Sequence, residues 1–158
     1  MKKYNFFIFI CLSLLLMVSC HRKPLMEETY TLQEKSWNRF RVLTFKPELV
    51  KENCYYDIVL EISYMDGFAY DELPLHTILT APDGQKNILS KKVRIRNKSG
   101  EYQGNVYGDT WTVKKVVFDH KQLKNKGIYT FDVQQMTQYY ELPGIVSVKC
   151  VVLYSNKQ

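Results

Sequence analysis

The chain has 158 residues, with 22 Lys and Arg against 16 Asp and Glu and a net charge of +6. Without Lys2 and Lys3, which lie in the segment 1–19, the rest of the chain carries 20 basic and 16 acidic side chains, a charge of +4. This is well below the basic density of nucleic-acid-binding domains, so no nucleic-acid partner is expected. The chain that follows this segment is long enough for one domain with a hydrophobic core.

The segment 1–19 is predicted to be a signal peptide. Residues 6–18 form an apolar run interrupted only by Ser13. A membrane-spanning helix needs about 20 apolar residues, so this run is too short to cross a bilayer but suits the centre of a secretory signal. The sequence LMVSC at 16–20 resembles a bacterial lipobox, in which Cys20 receives a lipid and becomes the first residue of the mature protein. The alternative is an ordinary signal peptide followed by an incidental cysteine.

Lipidation of Cys20 would tether the protein to a membrane. Each buried methylene contributes about 0.8 kcal/mol and one acyl chain binds only marginally, whereas two or three chains, palmitate among them, anchor a protein in effect permanently. Residues 21–35 are mostly polar, contain Pro24 and show no sustained alternation, so they are predicted to form a tether. The expected organisation is a signal peptide over 1–19, a lipidated cysteine and tether over 20–35, and a folded domain over 36–158.

Short runs of alternating apolar and polar residues follow this tether. The chain has 12 Tyr and 8 Phe against only 7 Gly, a composition that favours strands. Turn-forming pairs such as Asp66-Gly67 and Pro143-Gly144 separate the runs. They predict an all-β fold, an antiparallel β-sandwich of about seven or eight strands, with one helix of at most two turns around residues 120–126. The predicted strands cover residues 40–45, 57–64, 75–80, 88–95, 111–118, 128–136 and 146–154.

Two further cysteines of the mature chain, Cys54 and Cys150, allow two interpretations. An even pair in an exported protein is compatible with a disulfide. In the chain-entropy model, a bond that closes a loop of roughly a hundred residues contributes about 4 kcal/mol. The alternative is two separate buried thiols, because free Cys packs like a small hydrophobe and Cys150 lies among valines.

The sequence KKVRIR at 91–96 is a candidate binding patch. With the period of a strand, Lys92, Arg94 and Arg96 share one face, while the intervening Val93 and Ile95 share the other. This basic face could contact lipid phosphates or an acidic partner. Alternatively it is a solvated strand face, and charged side chains of that kind protect an edge strand from aggregation.

Aromatic residues gather in three predicted loop regions. Tyr107, Asp109 and Trp111 could form a platform on which a sugar stacks, or a contact for a protein partner. The alternative is that these aromatic side chains cap the ends of the hydrophobic core. The three groups are Phe68 with Tyr70, Tyr102 with Tyr107 and Trp111, and Tyr139 with Tyr140.

No catalytic constellation is visible in the sequence. His76 and His120 are isolated, without a partner at the spacing of a zinc site. The chain has neither a Gly-x-Ser-x-Gly elbow nor a Gly-rich phosphate-binding loop. We therefore expect a protein that is not an enzyme and that has neither a metal nor a cofactor.

Two long segments carry a family resemblance. SGEYQGNVYGDTWTVKKVVF at 99–118 and GIYTFDVQQMTQYYELPGIVSVKCVV at 127–152 resemble the gliding-motility-associated lipoprotein GldH family. Upstream, DGFAYDELPLHTILTAPDGQ resembles the aromatic loop, strand and hairpin of the same family. The resemblance implies a lipoprotein of the outer membrane of Bacteroidetes that works with gliding and type IX secretion machinery.

The resemblance further implies an interaction or assembly role, with envelope proteins as partners and acyl chains on Cys20 in the membrane. A carbohydrate-binding module of a surface polysaccharide-capture system is the alternative. Arg22 and Lys23 follow the cysteine in place of the acidic residues common in surface-displayed lipoproteins of this phylum. The expected location is therefore the periplasmic face of the outer membrane.

Overall fold

Residues 23–155 are described by a computed structural model; the predicted signal peptide and Cys20 lie outside these residues. The described chain is built almost entirely from strands, with one 3₁₀ turn at Gln33–Lys35. The strands in chain order are β1 Met26–Thr31, β2 Ser36–Asn38, β3 Leu43–Phe45, β4 Glu48–Leu49, β5 Cys54–Met65, β6 Glu72–Thr80, β7 Lys86–Arg94, β8 Asn105–Tyr107, β9 Thr110–Leu123, β10 Gly127–Ile128, β11 Thr130–Gln135, β12 Glu141–Pro143 and β13 Ile145–Tyr154.

Two antiparallel sheets enclose the core. One has the strand order β1-β13-β5-β9-β8 and the other β3-β11-β6-β7, and two short ribbons, β10-β4 and β12-β2, complete the described part. The predicted antiparallel β-sandwich is confirmed, and each of the seven predicted strands corresponds to one of β3, β5, β6, β7, β9, β11 and β13.

Alternation explains how each sheet supplies its half of the core. On β5, Ile58, Leu60 and Ile62 are fully buried, and the residues between them lie on the outer face. On β11 in the facing sheet, Phe131 and Val133 are also fully buried. Because successive side chains of a strand point to opposite faces, one apolar set from each sheet fills the space between them.

The predicted tether is too long, because residues 26–31 form β1 at the edge of the larger sheet. β1 pairs with β13 from Met26 opposite Val152 to Thr31 opposite Ser147. Tyr30 stacks edge-on against Phe45 with ring centroids 5.1 Å apart. An edge strand of this kind is held mainly by backbone hydrogen bonds on one side, which leave little trace in its side-chain pattern.

The helix predicted around residues 120–126 is wrong. β9 continues to Leu123, and the register between β5 and β9 shifts beside Ile58. His120 adopts a positive φ of 48° within β9. Its backbone N–H donates to Asp57 Oδ1 at 2.7 Å, and its ring stacks on Tyr55 at 4.1 Å. This local irregularity of β9 interrupts the alternation of apolar and polar residues, which is why the sequence did not indicate a strand here.

The pairing of β5 with β13 separates Cys54 from Cys150. Both thiols are free, and Cys150 lies opposite Leu60, six residues along β5 from Cys54. At ~3.3 Å per residue this is about 20 Å, far beyond the reach of a disulfide. Burial raises the pKa of the Cys150 thiol, so it stays protonated in the core. The second interpretation of the two cysteines, separate thiols, fits this structure.

The sandwich has two ends that differ in composition. β1 enters at Leu25, whose N–H donates to Val152 O at 2.8 Å. We call this the tether end; it comprises the loops 46–53, 81–85 and 124–129. β5 runs from the tether end to the opposite end, roughly 35 Å away at ~3.3 Å per residue. The opposite end, named the aromatic end, comprises the loops 39–42, 66–71, 95–104 and 136–140 with the β8–β9 turn.

Candidate interaction surface

Solvent-exposed apolar side chains cluster at the aromatic end. Phe40 and Tyr140 are each 68% exposed, and their ring centroids lie 5.6 Å apart. Val42, Met136 and Tyr139 on the same two loops are also exposed. Large apolar side chains grouped on a surface are typical of sites where another molecule binds.

Hydrogen bonds to backbone carbonyl groups hold these two loops side by side. Arg39 N–H donates to Tyr140 O at 2.6 Å, and Gln134 Nε2 donates to Arg39 O at 2.7 Å. The ribbon formed by β2 and β12 continues the pairing, with Asn38 opposite Glu141. Phe40 and Tyr140 are therefore presented from an ordered frame.

Gln135, the last residue of β11, fixes the loop 136–140 from beneath. Its side chain is fully buried. Its Nε2 donates to Trp37 O at 3.3 Å and to Tyr139 O at 3.2 Å, while its Oε1 accepts from Thr137 N–H at 2.8 Å. Movement of the loop would break these hydrogen bonds and leave buried polar groups without partners. Because that costs free energy, the buried amide of Gln135 makes the loop rigid.

A shallow cleft borders the exposed cluster. It has a volume of about 300 Å³ and is lined by Met65, Phe68, Tyr70, Pro143 and their neighbours. Tyr70 packs against Tyr139 with ring centroids 5.6 Å apart. Burial and the hydrogen bond with Tyr139 raise the pKa of the Tyr70 hydroxyl above its usual value. Phe68 itself is buried and forms the floor of the cleft.

Gly144 determines how closely β12 approaches Phe68. It has a φ of 90°, and a Cβ at this position would lie 2.9 Å from Phe68 Cδ2. We expect Gly144→Ala to lower the free energy of unfolding by about 3 kcal/mol, because the left-handed backbone and the displaced ring both add to the cost. Urea unfolding monitored by tryptophan fluorescence measures this loss.

Gly67→Ala is the matched control for this substitution. Gly67 also has a positive φ, 79°, but a Cβ there would meet nothing within 4 Å. The control should lose only the backbone contribution of about 1 kcal/mol. Equal losses in the two variants would show that contact with Phe68 does not constrain position 144.

The predicted platform of Tyr107, Asp109 and Trp111 does not form. Gly108 and Asp109 make the turn between β8 and β9, in which Tyr107 lies opposite Thr110 and Trp111 opposite Val106. Directly opposed residues share a face, so Tyr107 and Trp111 point to opposite sides of this hairpin. Tyr107 is 91% exposed, whereas Trp111 packs on Tyr102 and the core.

The predicted basic face on β7 is partly neutralised. Lys92 Nζ lies 3.0 Å from Glu72 Oε2 on the neighbouring strand, and Arg94 lies 4.0 Å from the same carboxylate. Since β7 is an edge strand, exposed Lys92 and Arg94 fit the predicted alternative of a solvated, protective face.

Arg96, beyond the end of β7, serves the fold of the aromatic end. Its guanidinium lies 3.1 Å from Asp71 Oδ1 and donates to Phe68 O and to Tyr102 Oη. It also lies 4.5 Å from the centre of the Tyr102 ring, a cation–π contact. Arg96 therefore ties the loop 66–71 to the loop 95–104, and its charge is used within the chain.

Phe40 and Gln135 belong to this surface but were missed by the sequence analysis. Phe40 stood at the start of a predicted strand, and only the tertiary fold brings it against Tyr140. Gln135 continues the inward-facing series of Phe131 and Val133 on β11. A polar residue at such a buried position was the sign in the sequence that it has a structural role.

The described residues 23–155 contain neither a metal-binding cluster nor a spanning helix. No group of three or more His, Cys, Asp or Glu side chains there is placed to hold a metal ion. That part of the chain also contains no helix of the length and apolarity needed to cross a membrane.

Comparison with known proteins shows which family the chain belongs to. A family model described as GldH lipoprotein matches residues 25–150. The chain belongs to the GldH lipoprotein family. The match covers every loop of the aromatic end and begins immediately before β1, which agrees with a domain that starts near residue 25. A gliding motility lipoprotein GldH homolog from Christiangramia forsetii is 24% identical over an alignment of 152 residues, and the alignment covers 92% of each chain.

One solved structure shows likeness in fold alone. A family GH115 4-O-methyl-alpha-glucuronidase, BtGH115A, superposes on 87% of this GldH family chain with a TM-score of 0.50 and 13% identity. The chain spans only 18% of that enzyme's length. The VP2 subviral particle of infectious bursal disease virus gives a TM-score of 0.36 over 84% of this chain and 34% of its own, at 9% identity.

Proposed function

We propose that this chain is a lipid-anchored, non-enzymatic component of the cell envelope that binds a protein partner through its aromatic end. The observation that carries the proposal is the exposed cluster of Phe40, Tyr139 and Tyr140 on a frame fixed by Gln135. Membership of the GldH family, one member of which is a gliding motility lipoprotein, supports a partner within a gliding complex, and the family resemblance extends this proposal to type IX secretion machinery.

The physical character of the cluster favours a protein partner. Aromatic residues supply large contact areas, and they carry much of the binding energy in protein interfaces. A frame that is already ordered reduces the entropy lost on binding. Sugar binding finds less support, because the residues predicted to form its platform, Tyr107 and Trp111, lie on opposite faces of a hairpin.

The lipobox-like sequence before Cys20 supports attachment to a membrane by acyl chains. The likeness to the GldH family supports a place at the outer membrane, and Arg22 and Lys23 after the cysteine support its periplasmic face. Proteolysis of intact cells tests the orientation: a periplasmic domain is protected until the outer membrane is permeabilised. Rapid cleavage of the domain in intact cells would contradict it.

Cross-linking in intact cells followed by mass spectrometry tests partner binding. The double substitution Phe40→Ala/Tyr140→Ala should reduce capture of envelope partners at least about fivefold, since it removes two adjacent aromatic anchors. Ile88→Ala is the matched control, because Ile88 is equally apolar and 58% exposed but lies on β7, away from the cluster. Unchanged capture in the double variant, or glycan binding in place of protein capture, would contradict the proposal.

A further inference from the structure

The tether end differs sharply from the aromatic end in its exposed residues. Val50 directly follows β4 and Ile128 lies in β10, and these two aliphatic side chains are 62% and 60% exposed. Lysines surround them: Lys23, Lys46, Lys51, Lys86, Lys124 and Lys126 are exposed and Lys121 is half-buried, and the acidic residues at this end include Glu48, Glu52, Asp57, Asp83 and Asp119. We propose that this end rests on the bilayer surface, with Val50 and Ile128 in the headgroup region and the lysines against anionic lipid headgroups.

The reach of the tether limits where the bilayer can be. Pro24 lines a shallow pocket with Val151 and Leu153, near the tether end of β13. Only four peptide units separate Pro24 from Cys20, so an extended chain spans at most about 14 Å. This inference rests on the proposed lipid on Cys20. With that lipid in place, the bilayer surface lies close to the tether end, whereas the aromatic end is roughly 35 Å away along β5.

The start of the folded domain at β1 restricts how the domain can turn. A tether over the whole of residues 21–35 could extend about 50 Å and would leave the domain free to turn in any direction. Because residues 26–31 are instead paired with β13, the tether is limited to the short segment before β1, and the domain can turn over a smaller range. An edge strand therefore influences the position of the whole domain on the membrane.

The residues of the tether end have the chemistry of a membrane interface. Aliphatic side chains surrounded by lysines suit the boundary between headgroups and acyl chains, where apolar atoms are buried and ammonium groups meet lipid phosphates. Lys126 lies 3.9 Å from Glu52, and Lys51 lies over the ring of Tyr154. Lys46, Lys86 and Lys124 are exposed around the same ribbon. The aromatic end would then point away from the bilayer, toward protein partners.

Fluorescence quenching by labelled lipids tests this orientation. The full chain, isolated from membranes in a Cys54→Ser background, would carry a fluorophore at Ile128→Cys or, as the control, at Tyr107→Cys. In vesicles of phosphatidylcholine and phosphatidylglycerol with nitroxide-labelled acyl chains, fluorescence at 128 should fall at least about twofold. Fluorescence at position 107, which is 91% exposed at the other end, should stay unchanged.

Charge substitutions show how much the lysines, as distinct from the lipid tether, contribute to holding the tether end at the bilayer. Lys124→Glu/Lys126→Glu should weaken the quenching at 128 by about half, and so should salt raised well above physiological strength. Lys35→Glu/Lys98→Glu, which changes two exposed lysines away from the tether end, should leave it unchanged.

Each outcome of the quenching experiment has a distinct meaning. Intact mass of the N-terminal peptide shows whether Cys20 carries acyl chains; their absence would contradict the anchor and this inference together. An acylated chain with equal quenching at 128 and 107 would contradict this inference alone. Cross-links through position 128 to a second copy or another protein, without quenching, would also overturn it, because the tether end would then be a protein interface.

Discussion

Cys20→Ala should abolish lipid attachment and move the protein out of the membrane fraction. Cys20 follows an apolar run and a small residue, and its sulfur is the expected site of modification. Because each buried methylene contributes about 0.8 kcal/mol, the loss of two or three acyl chains removes essentially all membrane affinity. Metabolic labelling with a clickable fatty acid, followed by membrane fractionation, measures both effects.

Cys11→Ala is the matched control for the lipid prediction. Cys11 lies inside the apolar run, where its replacement by another small apolar residue preserves the signal. That variant should keep the label and remain in the membrane fraction. Label retained after Cys20→Ala would contradict the lipobox interpretation and the anchored orientation with it.

Gln135→Leu should lower the free energy of unfolding by about 3 kcal/mol or more, since each buried polar group left without a partner costs about 1–3 kcal/mol. The substitution leaves Thr137 N–H and the carbonyl groups of Trp37 and Tyr139 without the amide that now pairs with them. Denaturant unfolding gives the loss, and hydrogen exchange at residues 136–140 shows whether the loop has become mobile.

Gln122→Leu serves as the control for the buried amide. Gln122 is exposed on β9, so the same change of side chain there should alter stability by no more than about 0.5 kcal/mol. If Gln135→Leu were equally neutral, the loop 136–140 would not depend on Gln135. Reduced partner capture by Gln135→Leu at a temperature where it remains folded would connect the frame to binding.

The proposed anchor and the buried amide act at opposite ends of the domain. A lipid on Cys20 would set one end of the sandwich at the bilayer, and Gln135 keeps the aromatic side chains in place at the other. Partner binding at the aromatic end would then occur roughly 35 Å from the anchor, a distance set by the length of β5.

Several features of this protein follow from its sequence alone. The alternation in residues 57–64 and 146–154 predicted β5 and β13, because burial on one side of a strand selects every second residue. The quoted segments identified the GldH family, which the match over residues 25–150 confirms. Tyr139 and Tyr140 were also grouped among the aromatic residues of predicted loops, and both are exposed in the structure.

Only the tertiary structure decided how distant residues meet. β1 became a strand through its hydrogen bonds to β13, whose position depends on the whole sheet. The register of β5 with β13 separated Cys54 from Cys150, and the β8–β9 turn separated Tyr107 from Trp111. Side-chain alternation indicates which residues of a segment are buried. Strand order and register depend instead on contacts between residues far apart in the chain, and a single sequence shows little sign of such contacts.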